Sequence, residues 1–151
     1  NVGDVLGDST NYIVRFKITA TLVGNWTERF GIRVVSKEGD NGADAGFLIW
    51  DKGADGICFG KLANYPEFGG GGPSDKTVLT EAMFAAGVEI QIIRNGNSAT
   101  MYAKIDGKWQ SVYTVSLADG STAQLGFSAA GGTYVYSDMS IVTVEDATVD
   151  E

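Results

Sequence analysis

The chain has no histidine, a single cysteine and only 2 prolines among 151 residues. Without an imidazole, neither a Ser-His-Asp nor a Cys-His nucleophile can be assembled, and most transition-metal sites lose their commonest ligand. The lone Cys58, between Ile57 and Phe59, cannot form an intrachain disulfide. With no His to activate its thiol, it reads as a small buried hydrophobe. Basic residues are also scarce. The 11 Lys and Arg against 19 Asp and Glu leave a formal net charge of -8, a field that opposes polyanions and makes nucleic acid and acidic membrane surfaces poor partners. No apolar run approaches the roughly 20 residues of a membrane-spanning helix, and no signal-peptide or lipidation pattern occurs.

What the chain does have is 21 Gly and 44% hydrophobic residues, rich in Val, Ile and aromatics. That is the composition of short strands punctuated by glycine turns. The length fits one domain, taken as residues 1–145 with 146–151 as an acidic tail or linker stub. The abrupt start on Asn1 and the acidic end predict a module cut from a longer secreted or cell-surface protein of bacterial type.

The most informative stretch is Gly87 to Leu117. Asn95-Gly96 and Asp106-Gly107 separate three alternating segments, so the stretch predicts three consecutive antiparallel strands joined by tight turns, the first connection using two residues or four. Upstream, Tyr12, Val14, Phe16, Ile18, Ala20 and Leu22 alternate with Arg15, Lys17, Thr19 and Thr21, which predicts a long strand wet on one side. Arg29–Ser36 gives a second strand, with Phe30, Ile32 and Val34 inward and Arg33 outward. In Gly46–Asp51 periodicity does not decide which side faces the core. Residues 56–61 form another brief strand. The segment 62–76, with Pro66, Pro73 and four consecutive glycines, is a loop of a length that is usually either functional or disordered. Residues 77–87 fit either a strand and turn or one helical turn. Strands over 123–129 and 134–144 complete eight to ten, which close most naturally as two packed antiparallel sheets, a jelly roll.

The meander carries a family resemblance. VEIQIIRNGNSATMYAKIDGKW, with Arg94-Asn95-Gly96, Met101-Tyr102-Ala103 and Asp106-Gly107-Lys108, resembles the hairpin of concanavalin A-like lectin/glucanase domains, the laminin G-like group in particular. Residues 123–132 and 136–144 resemble two further strands of that superfamily. The resemblance implies an all-β, two-sheet sandwich and a glycan-binding module, an adhesion domain or a glycosidase. The clustered acidic motif of the superfamily's glucanases has no counterpart here.

Glycoside hydrolysis needs two facing carboxylates. The acids fall mostly in loops (Asp40, Asp44, Asp51, Asp55, Asp75, Asp119), and Glu89, alone within a strong strand, has Gln91 as its in-face neighbour. The expectation is therefore a non-catalytic carbohydrate-binding module whose partner is a polysaccharide or oligosaccharide, appended to other domains of a glycan-degrading enzyme or surface protein. Alternatives are a laminin G-like adhesion module and a small glycosidase or lyase.

Sugars present an apolar C–H face and hydroxyls, so exposed aromatics flanked by polar side chains are the candidates. Parity places Tyr102 and Lys104 beside Glu89 and Gln91 on one outward face, although cross-strand pairing alone also explains a surface Tyr. Arg33 would add a planar donor fork, the plainer reading being a solvated surface arginine. Trp50 and Trp109 are either ring platforms or core plugs. Trp26 in its turn and Tyr65 on the glycine-rich loop are loop candidates. Within the resemblance, a structural Ca²⁺ between first and last strands would draw on Asp138 with Asp4 or Asp8, and the plainer reading is that these acids cap turns.

Overall fold

The computed structural model describes residues 11–22, 29–36, 46–62, 75–116, 122–130 and 133–143. Ten strands lie in this part of the chain: β1 (Tyr12–Thr21), β2 (Arg29–Ser36), β3 (Gly46–Asp51), β4 (Ile57–Lys61), β5 (Asp75–Lys76), β6 (Val88–Asn95), β7 (Ser98–Ile105), β8 (Lys108–Ser116), β9 (Thr122–Ala130) and β10 (Thr133–Thr143). One short helix, α1 (Glu81–Ala86), and a 3-10 turn (Gly53–Asp55) interrupt them. The strands form two five-stranded antiparallel sheets, ordered β10-β1-β6-β7-β8 and β5-β4-β3-β2-β9. This is the all-β sandwich expected from the sequence.

Alternation in β1 becomes burial. Tyr12, Val14, Phe16, Ile18 and Ala20 are buried while the residues between them are half-buried. They pack against Phe30, Ile32, Val34, Phe47, Ile49 and Phe59 of the second sheet, each contributing on the order of 1.5–3 kcal/mol as apolar surface leaves water. The Tyr12 hydroxyl donates to the Val34 carbonyl at 2.6 Å, linking the sheets across the core. In β3 the undecided parity resolves: Phe47 and Ile49 enter the core between the sheets, and Leu48 is buried on the opposite side.

The segment left open between strand and helix is helical. The Met83 N–H donates to the Thr80 hydroxyl at 3.2 Å, a helix N-cap, and Gly87 ends the helix at φ 102°, a conformation glycine adopts without strain. Six residues cannot hold a helix alone. Phe84 pins it by packing on Phe30 with ring centroids 5.8 Å apart.

Both hairpins of the meander exist, and the first is offset by one residue. Asn95 pairs with Ser98, so the loop is Gly96-Asn97, with Gly96 at φ 58°. Glycine in the first loop position is the pattern of a type II′ turn rather than the expected I′. The buried Arg94 donates its Nε–H to the Gly96 carbonyl at 3.1 Å and steadies this turn. The second loop, Asp106-Gly107, has φ 52° and 78°, positive at both positions as type I′ requires.

Candidate functional site

The outward side of the first sheet is built by register. Arg15 lies opposite Ser140 on one side and Gln91 on the other, Gln91 opposite Tyr102, and Tyr102 opposite Ser111. Directly paired residues project to the same side, so these five form one row across five strands. The adjacent row runs through Ser137, Lys17 and Glu89. It reaches Lys104, which follows Ala103, the partner of Ile90, and then Trp109, the partner of Lys104. A third row brings Ile13, Ile93, Thr100 and Thr114 together, with the two threonine hydroxyls 2.9 Å apart.

Tyr102 and Trp109 are half-buried, Lys104 and Glu89 exposed. The Lys104 ammonium stands 5.6 Å from the centroid of the Trp109 ring, a cation–π distance that holds both side chains over the sheet. Trp109 is thus an outward residue and not a core plug. The reason is a bulge. Met101 pairs with Tyr113 but Tyr102 pairs with Ser111, so β8 carries one extra residue, Val112, and its parity reverses there. Trp109 and Ser111 face out, while Tyr113 and Val115 face in. Tyr113 reaches the second sheet, donating its hydroxyl to Asp75 at 3.0 Å and lying 5.8 Å from the Phe59 ring. Burial first, then the bond to Asp75 and its charge, push the Tyr113 hydroxyl above its ordinary range.

Gln91 departs from expectation. Alternation predicted an exposed side chain, yet Gln91 is 0% exposed. Arg15 Nε–H donates to Gln91 Oε1 at 2.5 Å, which fixes the orientation of the amide. The donor end, Nε2, is buried without a hydrogen-bond partner. An unmatched buried donor costs about 1–3 kcal/mol. Nothing in the alternation pattern signals this, because Arg15 lies 76 residues away in sequence.

Arg33 and Trp50 do not join this face. They belong to β2 and β3 of the second sheet, because the first two hairpin-linked strands after β1 pair with each other and with β9. A binding surface shared by Arg33, Tyr102 and Gln91 is therefore excluded. On the second sheet's outer side Trp50 pairs with Arg29 and Cys58, and the Arg29 guanidinium carbon lies 4.9 Å over the Trp50 ring. Asp51 is not a loop acid. It closes β3, is 2% exposed, and accepts from the Gly53 N–H at 3.0 Å. It also lines a cleft of about 520 Å³ walled by the 3-10 turn and residues 76–82.

Asp138 occupies a second bulge. Arg15 pairs with Ser140 and Lys17 with Ser137, leaving Asp138 and Met139 opposite the single residue Phe16. Asp138 is exposed at φ 57°, and Asp tolerates this left-handed conformation better than most residues. It lies on β10, the last strand, which pairs with β1. Among the described residues, no three acids gather into a metal cluster. One carboxylate is far short of the 6–8 oxygens Ca²⁺ requires, so the described residues do not by themselves fit the ion. Trp26, Tyr65, Asp4 and Asp8 lie outside the described residues.

No protein-family model matches the chain, and no curated protein matches it. Solved structures do. The Caenorhabditis elegans galectin LEC-6 matches with a TM-score of 0.52 at 11% identity, over 90% of this chain and 85% of the galectin. The exoplasmic/lumenal domain of VIP36, solved with Ca²⁺ and Man3GlcNAc bound, matches with a TM-score of 0.53 at 7% identity, over 94% of this chain and 71% of that domain. A CBM2 module of the Lactobacillus casei BL23 phage J-1 evolved Dit matches with a TM-score of 0.49 at 16% identity, over 93% and 66% of the two chains. The fold is the jelly-roll sandwich of these solved lectin domains, the kind of fold that the meander's sequence implied. At these identities the likeness is one of fold, and function is argued from the site.

Proposed function

We propose that the chain is a non-catalytic carbohydrate-binding module that holds a polysaccharide or oligosaccharide against the outer face of the first sheet. The observation that carries this reading is the row of Arg15, Gln91 and Tyr102, with Trp109 and Lys104 in the row beside it. It combines ring surface for a sugar's C–H face with fixed donors for its oxygens, on strands rather than loops. Sharing the fold of a domain solved with Man3GlcNAc bound supports the reading. The module is read as part of a secreted or cell-surface bacterial protein, delivering other domains of that protein to a glycan.

The chemistry of the face argues for binding over hydrolysis. Its central rows hold one carboxylate, Glu89, lined up with Lys17 and Lys104, whereas hydrolysis needs two carboxylates facing each other across the scissile bond. Calcium is a separable part of the reading. A Ca²⁺ held by Asp138 would take its other oxygens from residues such as Asp4, and its mark would be a rise in Tm on adding Ca²⁺ that chelator reverses. An unchanged Tm would discard it.

The test is calorimetric titration of the folded chain with a panel of neutral and acidic polysaccharides, with product analysis of the mixtures. Saturable binding to at least one, with no new reducing or unsaturated ends, is expected. Absence of binding to every glycan would overturn the module reading, and new chain ends would overturn its non-catalytic part.

A further inference from the structure

We propose that the ligand of this face is an acidic glycan whose sugar rings carry carboxylates, a uronate-containing chain; the inference rests on the glycan-binding reading above. Three observations converge on it, beginning with charge. In a protein with formal net charge -8, the central rows hold three cations, Arg15, Lys17 and Lys104, against the single carboxylate Glu89. Among the described residues of this sheet and its turns, the further acids are Asp106, in the turn between β7 and β8, and Asp138, on the bulged edge strand two strands from Gln91. A face of opposite sign to the whole molecule is a local feature. It acts at contact distance, while the repulsive field of the remaining acids is screened beyond about 8–10 Å at moderate ionic strength.

The second observation is the polarity of the centre. Arg15 donates to the oxygen of the Gln91 amide, whose N–H donor is buried and unmatched. Because Gln91 is fully buried, a ligand reaches this donor only where the side chains covering it move aside, and it must then bring an acceptor. The third is the set around it: a guanidinium plane bonded to one side of the amide and the Tyr102 phenol paired on the other. A planar carboxylate, with two oxygens each able to accept more than one hydrogen bond, matches planar donors better than a lone hydroxyl, and charge-assisted bonds are about twice as strong as neutral ones. Tyr102 and Trp109 would cover the ring that bears it.

The experiment is titration of the whole chain with oligogalacturonate, oligomannuronate and oligoglucuronate, each alongside its carboxyl-reduced form, a neutral polymer of the same linkage. At least one polyuronate is expected to bind at least tenfold more tightly than its reduced form, with an affinity that falls as salt is raised. Gln91→Glu preserves size and the contact to Arg15 but replaces the donor by an acceptor. It should lower polyuronate affinity tenfold or more with Tm retained. Should that variant not fold, the exposed Lys104→Gln is the second probe, expected to lower polyuronate affinity several-fold and flatten its salt dependence. Equal binding of native and reduced forms, or binding of neutral glycans alone, would overturn the acidic-ligand inference and leave the module reading standing. Binding of no glycan would overturn both. A polyuronate affinity unaffected by Gln91→Glu or by Lys104→Gln would also overturn it.

Discussion

At the scale of single residues, two tyrosines of the first sheet do different work. Tyr102, half-buried and outward, is the ring nearest the Gln91 donor by register. Tyr102→Ala is expected to weaken glycan binding about tenfold, or about 1.4 kcal/mol, and to leave the Tm nearly unchanged; calorimetry with a thermal melt reads both. Tyr12 is inward, and burial raises its hydroxyl above the ordinary 10, opposed in part by the nearby Arg94 charge. As pH rises past about 10, the unfolded chain loses this proton first, so it binds fewer protons than the native state and stability falls with pH. Tyr113 is shifted in the same direction. Melts from pH 8 to 11 should show Tm declining above about pH 10. Tyr12→Phe should flatten that decline while costing about 1–2 kcal/mol near neutrality through the lost bond to Val34. An unchanged alkaline slope would remove Tyr12 as its cause.

At the scale of elements, the sequence speaks clearly wherever period-two alternation is unbroken. In β1 and β6 it identifies the inward residues. Parity failed at bulges. The extra Val112 in β8 reverses which residues face the core, so parity read without the structure favours the core for Trp109, which in fact faces out. The assignment of β2 and β3 to the opposite sheet is also silent in their own residues, since it depends on pairing with β9, more than 80 positions on. Gln91's burial is likewise hidden, because its partner Arg15 is brought to it by strand order. The bulge in β10 supplies a test of element-level origin. If Asp138 is there for its φ of 57°, Asp138→Gly should leave the Tm essentially unaltered and Asp138→Val should lower stability by about 1–2 kcal/mol. Loss of a calcium-dependent Tm increment in Asp138→Gly would instead assign the residue to a metal.

At the scale of the whole molecule, the sandwich presents two outer faces of different chemistry. The first sheet offers a donor-rich row with aromatic flanks. On the second, Arg29 is stacked over Trp50, and its neighbours Leu48 and Cys58 are buried. The composition of the chain conceals this difference, since a net charge of -8 is an average over the whole molecule. The central claim is that glycan is held by the first sheet and not the second. Amide and side-chain NMR shifts of labelled protein, followed while the best-binding glycan is titrated in, test this directly. The account predicts that perturbations concentrate on Arg15, Gln91 (including its side-chain NH2), Tyr102, Lys104 and the Trp109 indole. Perturbations centred on Arg29, Arg33 and Trp50, with the Gln91 side chain unmoved, would contradict it.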